Sequence, residues 1–222
     1  MKKLLSPLDL IKKAVNIFAK RENYIFLIKI YLPMAFLSLI SAAQSFLPAS
    51  IKNSNSIGLG IGIGILQIFY FLISAFITIS GVIALGKVVG GGELSINKTY
   101  KSAWKIYWNI LLLSIVLTFI YVFGFVLLII PGIIFAVWFA FSRFAAIEKG
   151  LGIKQALIKS KELVKGMYWK ILGRLIIFGV FTVLIQMVLS IIPYGIGLIV
   201  SSVLGGLYML PLYLLYKELD AV

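Results

Sequence analysis

The sequence predicts an all-α integral membrane protein with six transmembrane helices arranged as three helical hairpins. Three observations carry this reading. Hydrophobic residues make up 62% of the 222-residue chain and charged residues 13%, where soluble domains carry about 45–50% and about 25%. The charge-free runs Ile30–Ile51, Asn53–Gly86, Ile106–Ser142 and Leu175–Tyr216 hold 22, 34, 37 and 42 residues, and one crossing of the hydrocarbon layer needs about 20. The basic residues, 21 against seven acidic ones, gather before the first run, between the second and third and between the third and fourth, with Lys52 alone between the first and second. Together these exclude a soluble enzyme, a nucleic-acid-binding domain and a disordered tail as descriptions of the whole chain. The net charge of +14 needs no nucleic acid, because cytoplasmic loops of membrane proteins collect Lys and Arg. Residues 1–222 read as a single polytopic membrane domain.

The opening Met1-Lys2-Lys3-Leu4-Leu5 imitates a signal peptide. Ser6, Pro7 and Asp9 interrupt it and Lys12 and Lys13 follow, so no apolar stretch of about 7–15 residues precedes a cleavage site. The expectation is that this segment is retained.

The spans are expected at about 25–47, 58–86, 107–130, 133–149, 171–192 and 196–216. The last two charge-free runs exceed one crossing. Pro131-Gly132 divides the first of them and Pro193-Tyr194-Gly195 the second, since such pairs turn the chain tightly. Nineteen of the 21 basic residues then fall on one side: the N-terminal segment, the 2–3 and 4–5 connections with their adjoining span ends, and the tail. Lys52 alone falls on the other side, and Lys29 lies within the first span. This asymmetry predicts that both termini are cytoplasmic.

Three segments share a pattern. Ile11-Lys12-Lys13-Ala14-Val15 resembles Ile96-Asn97-Lys98-Thr99-Tyr100 and Ile153-Lys154-Gln155-Ala156-Leu157. Each is followed by an aromatic residue (Tyr24; Tyr107 and Trp108; Tyr168 and Trp169) and then by a proline, Pro48, Pro131 or Pro193. The prolines lie 37, 35 and 40 residues from the first isoleucine. The pattern predicts a threefold internal repeat over 6–89, 93–149 and 150–216. Each unit has an amphipathic cytoplasmic interfacial helix ahead of its hairpin, comparable to parallel transporter repeats. The alternative is that hairpin membrane proteins in general place Lys, aromatic and Pro at these depths.

In the third unit and just before it, Ile130-Pro131-Gly132 is followed by Glu148, Gly150, Ala156, Ser160 and Gly166. Over about residues 100–216 this resembles the membrane domain attached to some bacterial glycerophosphoryl diester phosphodiesterases, and related stand-alone membrane proteins. The resemblance implies a six-span protein of the bacterial cytoplasmic (inner) membrane. It does not imply phosphodiesterase activity, which belongs to a separate soluble domain for which this chain has no room.

Cysteine and histidine are both absent. No disulfide, thiol nucleophile or imidazole metal site can form, and the expectation is no catalytic residue, no metal and no cofactor. All seven carboxylates fall near the cytoplasmic surface, none at mid-membrane where proton-coupled carriers keep one. Glu218 and Asp220 read as a solvated tail. Gly90-Gly91-Gly92 lacks the Gly-Lys-Ser/Thr ending of a phosphate loop and reads as a flexible link. Gly58/Gly62 and Gly60/Gly64 have the spacing of close helix packing, and Gly197, Ser201 and Gly205 continue it in the last span.

The candidate intramembrane polar residues are Lys29, Gln44, Gln67 and Gln186. The glutamines are interhelical hydrogen-bond partners or line a substrate path. Lys29 and Arg143 lie close enough to the cytoplasmic boundary to extend their charge to the headgroups. In the helix expected at about 153–167, Ile153, Ala156, Leu157, Ser160, Leu163, Val164 and Met167 share one face. Lys154, Lys161 and Lys165 flank it on one side and Lys159 on the other. The candidate lipid-headgroup contacts are therefore Arg143, Lys154, Lys161 and Lys165, and the expected partners are the bilayer and its anionic phospholipids. A membrane-protein partner or a second copy also fits. The function expected is a non-enzymatic multi-pass membrane protein: a scaffold, a lipid-interacting or an accessory factor. The alternative is a small transporter or membrane-embedded substrate-binding subunit.

Overall fold

The computed structural model describes residues 4–45, 57–192 and 196–221, with side-chain surroundings described for these except 40–45, 57, 59, 60 and 127. The described residues are 88% helical and contain no strand. In chain order the helices are α1 (Pro7–Ala19), α2 (Arg21–Ser45), α3 (Ile57–Gly90), α4 (Ile96–Leu127) and α5 (Ile129–Trp138). They continue with α6 (Ser142–Lys149), α7 (Ile153–Val164), α8 (Tyr168–Ser190), α9 (Ile196–Val203) and α10 (Gly205–Asp220). Six stretches are long and apolar enough to cross a membrane: Arg21–Leu39, Ile61–Gly90, Ile96–Val126, Ile129–Lys149, Tyr168–Ser190 and Ile196–Asp220. Each overlaps one expected span. The chain is a multi-pass membrane protein.

Local chemistry sets the boundaries. Ser6 caps α1 by accepting the Asp9 N–H at 3.1 Å, with Pro7 at the first helical position, where its missing N–H costs nothing. At the other end Asn23 Nδ2 donates to the Ile17 carbonyl at 2.9 Å. Pro33 interrupts the bonding of α2, and the carbonyl of Ile30 accepts the Tyr100 hydroxyl at 3.0 Å. The end of α3 is not the flexible link expected from its glycines. Gly91 is left-handed, with φ 69°, and the Gly92 N–H returns to the Lys87 carbonyl at 2.9 Å. That is a Schellman cap.

Three expectations are corrected. No separate surface helix precedes the third span, because Ile96–Leu127 is one helix. The first and third units have a break, at Lys20 with extended ψ and at Gly166 with φ 80°. The second unit has none and runs on as one helix from Ile96 to Leu127. The third-to-fourth turn lies at extended Leu128 rather than at Pro131-Gly132. Pro131 sits in the first turn of α5, where proline is tolerated. The fourth crossing is itself broken at Phe139–Phe141, between α5 and α6. Pro48 and Pro193-Tyr194-Gly195 lie outside the described residues, so the other two turns stand as expectations.

The ends of the described chain meet at the basic end of the bundle. The Leu5 N–H donates to Glu218 at 3.3 Å, and Arg174 of α8 donates to the Leu5 carbonyl at 2.8 Å. The main core lies at the same end. Leu10 and Ala14 of α1 pack with Leu27, Leu85, Phe141, Tyr213 and Tyr216, all fully buried. Away from it, α3 is exposed at every residue from Ile61 to Phe69, and α8 buries nothing from Gly179 to Ser190. There the close contacts involve glycine. A Cβ on Gly124 would lie 3.0 Å from the Gly132 Cα, and one on Gly197 would run into the Leu189 carbonyl oxygen. The spacing of Gly62 and Gly64 suggested the same, but a Cβ on either would meet nothing within 4 Å.

Candidate functional site

Two arrangements of polar groups stand out, one at the surface of the basic end and one inside the bundle. The first is built on α7. Its apolar face packs on protein: Ala156, Ser160, Leu163 and Val164 are buried, and Ile153, Leu157 and Met167 half-buried. Ser160 anchors it. Its hydroxyl donates to the Trp138 carbonyl at 2.7 Å and accepts the Phe141 N–H at 3.1 Å. Those two backbone groups flank the α5/α6 break, where helix bonding cannot satisfy them, and buried groups of this kind need a partner.

This seating turns the lysine flank outward. Lys161, Lys165, Glu162, Trp138, Ile158 and Tyr168 line a groove of about 620 Å³. The Lys161 Nζ stands 4.4 Å from the centroid of the Trp138 ring, a contact of about 0.5–1 kcal/mol at an exposed site. Lys154 is exposed at the other end of α7, seven residues or about 10 Å away along the helix. It shares the flank without lining the groove. Lys159, on the opposite flank, pairs with Asp220 at 3.5 Å, as does Lys149 at 2.5 Å.

The second arrangement is a cavity of about 270 Å³ between α3, α4, α6 and α10, lined by Arg143, Ser74, Thr78 and Ser114 among apolar side chains including Phe71 and Leu212. Each hydroxyl donates to a carbonyl of its own helix: Ser74 to Phe71 at 2.9 Å, Thr78 to Ser74 at 2.8 Å and Ser114 to Ile110 at 2.8 Å. Glu148, five residues from Arg143, instead accepts the Tyr213 hydroxyl at 2.7 Å and Lys217 at 3.0 Å. Tyr213 is fully buried.

The remaining sequence candidates fall elsewhere. Lys29 is exposed and lines a shallow groove with Glu22 between α2 and the start of α4. Gln67 and Gln186 are exposed on α3 and α8, and neither lines the cavity. The side chain of Gln44 lies outside the described ones. Among the described residues no group of three or more acids is placed to hold a metal ion.

Sequence reasoning missed Trp138 as a partner of Lys161 and Ser160 as the clamp on the break. It also missed the three hydroxyls that share the cavity with Arg143. The four-residue spacing of Ser74 and Thr78 on a long apolar helix was a signal for two of them. Comparison with known protein families, with curated proteins and with solved structures returned no match.

Proposed function

We propose that the chain is a non-enzymatic, lipid-interacting protein of the bacterial cytoplasmic membrane that engages anionic phospholipid through α7. One observation carries the reading. The apolar face of α7 is spent on protein contacts, so Lys154, Lys161 and Lys165 are left facing outward at the basic end, two of them beside Trp138 and Tyr168. Aromatic rings with lysines suit the headgroup region. Each Lys near an anionic surface is worth about 1 kcal/mol, weakened by salt.

The charge distribution supports cytoplasmic termini, and the meeting of Leu5 with Glu218 puts the two ends of the described chain together. Contacts between α2 and α3, α4 and α5, and α8 and α9 favour three hairpins, with the threefold repeat and the membrane-domain family as the framework for them. In the second reading, a small transporter or substrate-binding subunit, the 270 Å³ cavity holding Arg143 is the binding site. The outward Gln67 and Gln186 weigh against a continuous polar path.

The test is lipid retention during purification, read by native mass spectrometry. Wild type should keep phosphatidylglycerol over phosphatidylcholine. The Lys154→Gln, Lys161→Gln, Lys165→Gln triple variant should lose that preference several-fold, most at low salt. Equal retention by both proteins across salt concentrations would overturn the reading.

A further inference from the structure

We propose that the Arg143 cavity is a binding site for an acid-headed, single-chain amphiphile, whose carboxylate or phosphate pairs with the guanidinium while its tail lies along the apolar wall. This site is separate from the α7 groove and does not depend on it.

Thr78 and Ser74 are nine and 13 residues before Lys87 in α3, and Ser114 is nine after Lys105 in α4. At 1.5 Å per residue these hydroxyls lie about 14–20 Å from the basic end of the bundle, near the middle of a layer about 30 Å thick. Arg143 is six residues before Lys149 on α6, about 9 Å from that end, and lines the same cavity; a charge within the layer and without a partner is costly, and intramembrane charges mark ligand or ion sites.

Compensation from the protein is missing. Among the described residues Arg143 makes no ion pair, and all seven acids of the chain are described. Asp9 bonds Ser6, Glu93 bonds Lys98, Glu148 bonds Tyr213 and Lys217, Glu218 bonds the Leu5 N–H, and Asp220 bonds Lys149. Glu22 and Glu162 are exposed and line other grooves. The hydroxyls of Ser74, Thr78 and Ser114 give their protons to helix carbonyls, so they bring no charge.

The shape completes the assignment. The guanidinium presents a planar fork of donors that matches a carboxylate or a phosphate. The rest of the lining is mostly apolar, including Phe71, Ile79, Val82, Ile110 and Leu212. The volume of about 270 Å³ lies just below the range of about 300–1,000 Å³ for ligand pockets, which suits one chain rather than two. Phe71 and Arg143 are both exposed, so the cavity is open where they stand.

The test uses the full chain in nanodiscs of zwitterionic lipid, titrated with dansyl-undecanoate and followed by fluorescence. Saturable binding is expected, displaced by dodecanoate or dodecyl phosphate and not by dodecanol. The stronger of the two acids identifies the headgroup chemistry. Arg143→Gln should weaken the probe about tenfold or more, and Arg143→Lys should restore part of that. Lys101→Gln, which removes an exposed charge of α4 outside the cavity, should leave it unchanged. If Arg143→Gln does not fold, Ser114→Leu, which fills the cavity and leaves the charge in place, should abolish binding. The proposal is overturned if wild type does not bind the probe, if dodecanol competes as well as the acids, or if folded Arg143→Gln or Ser114→Leu binds like wild type.

Discussion

The two halves of the bundle are built on different principles. At the basic end eight helices send buried residues into one core, with Leu10, Leu27, Leu85, Phe141, Tyr213 and Tyr216 all shut off from solvent. In the other half most helical surface is exposed. Ile61–Phe69 of α3 is exposed on every face, and in α4 beyond Leu117 the described residue that is buried is Gly124. In water such a half would be an aggregation surface. In a bilayer, lipid tails are as apolar as Leu, and helix association rests on close packing and hydrogen bonds instead. Tertiary specificity is concentrated where the chain meets the headgroups, and the far half needs little beyond hydrophobicity and helix bonding.

The largest break in this contrast should come from Tyr213→Ala. It opens a cavity in the packed half and strips Glu148 of a 2.7 Å hydrogen bond. A loss of about 3–5 kcal/mol, the cost of truncating a buried aromatic residue, should lower the unfolding midpoint in detergent well below wild type. Leu184→Ala, in the exposed half, should shift it little, and a comparable fall there would dissolve the distinction.

Next is Ser160→Ala, which orphans the Trp138 carbonyl and the Phe141 N–H together. Each buried group left unpaired costs about 1–3 kcal/mol. Hydrogen exchange should rise at 139–142 and in α7 while α2 keeps its protection. Unchanged exchange at the break would remove the clamp from the account.

A finer test sits within the exposed half. Gly197→Ala puts a Cβ into the Leu189 carbonyl oxygen, so the α8–α9 contact must shift, at about 1–3 kcal/mol for an overpacked site. Gly62→Ala meets nothing within 4 Å, should be neutral or slightly stabilising through helix propensity, and is checked by the same thermal scan. Equal losses at both would show that α3 has a packing partner there.

The smallest effect belongs to Glu93. Its hydrogen bond to Lys98, 2.6 Å long, holds its carboxyl below the usual range. The stabilisation from that shift is present above the unfolded pKa and is lost as pH falls through the folded one. Both side chains are about two-thirds exposed, so water screens the pair. Acid titration of wild type and Lys98→Met should give midpoints that coincide within error, and a clear separation would place the pair in a drier setting than its exposure indicates.

What was legible in the sequence follows from how local each feature is. Six apolar stretches appear in the amino-acid order because a crossing needs only length and hydrophobicity. The outward lysines of α7 were legible because helical periodicity alone groups Lys154, Lys161 and Lys165. The turn was misplaced by three residues, because proline both ends helices and begins them, and Pro131 does the second. The hydroxyl lining of the Arg143 cavity was not legible. Ser74 and Ser114 are 40 residues apart on different helices, and which faces meet depends on rotations that no single helix dictates. The partnership of Ser160 with the α5/α6 break was hidden likewise, since the break is unmarked by Gly or Pro.

The docking of α1 onto α10 carries a consequence in time. Leu10 and Ala14 are fully buried against a helix that begins at Gly205, about 185 residues after α1 ends. At translation rates of about 5–20 residues per second, α1 waits on the order of ten to forty seconds for its partner. Until then its apolar stripe is covered only in part, by earlier elements such as α2. Lys12, Lys13 and Lys20 give it the makeup of a peptide that rests on anionic lipid, and a bilayer surface would shelter the uncovered part until the last helix is made.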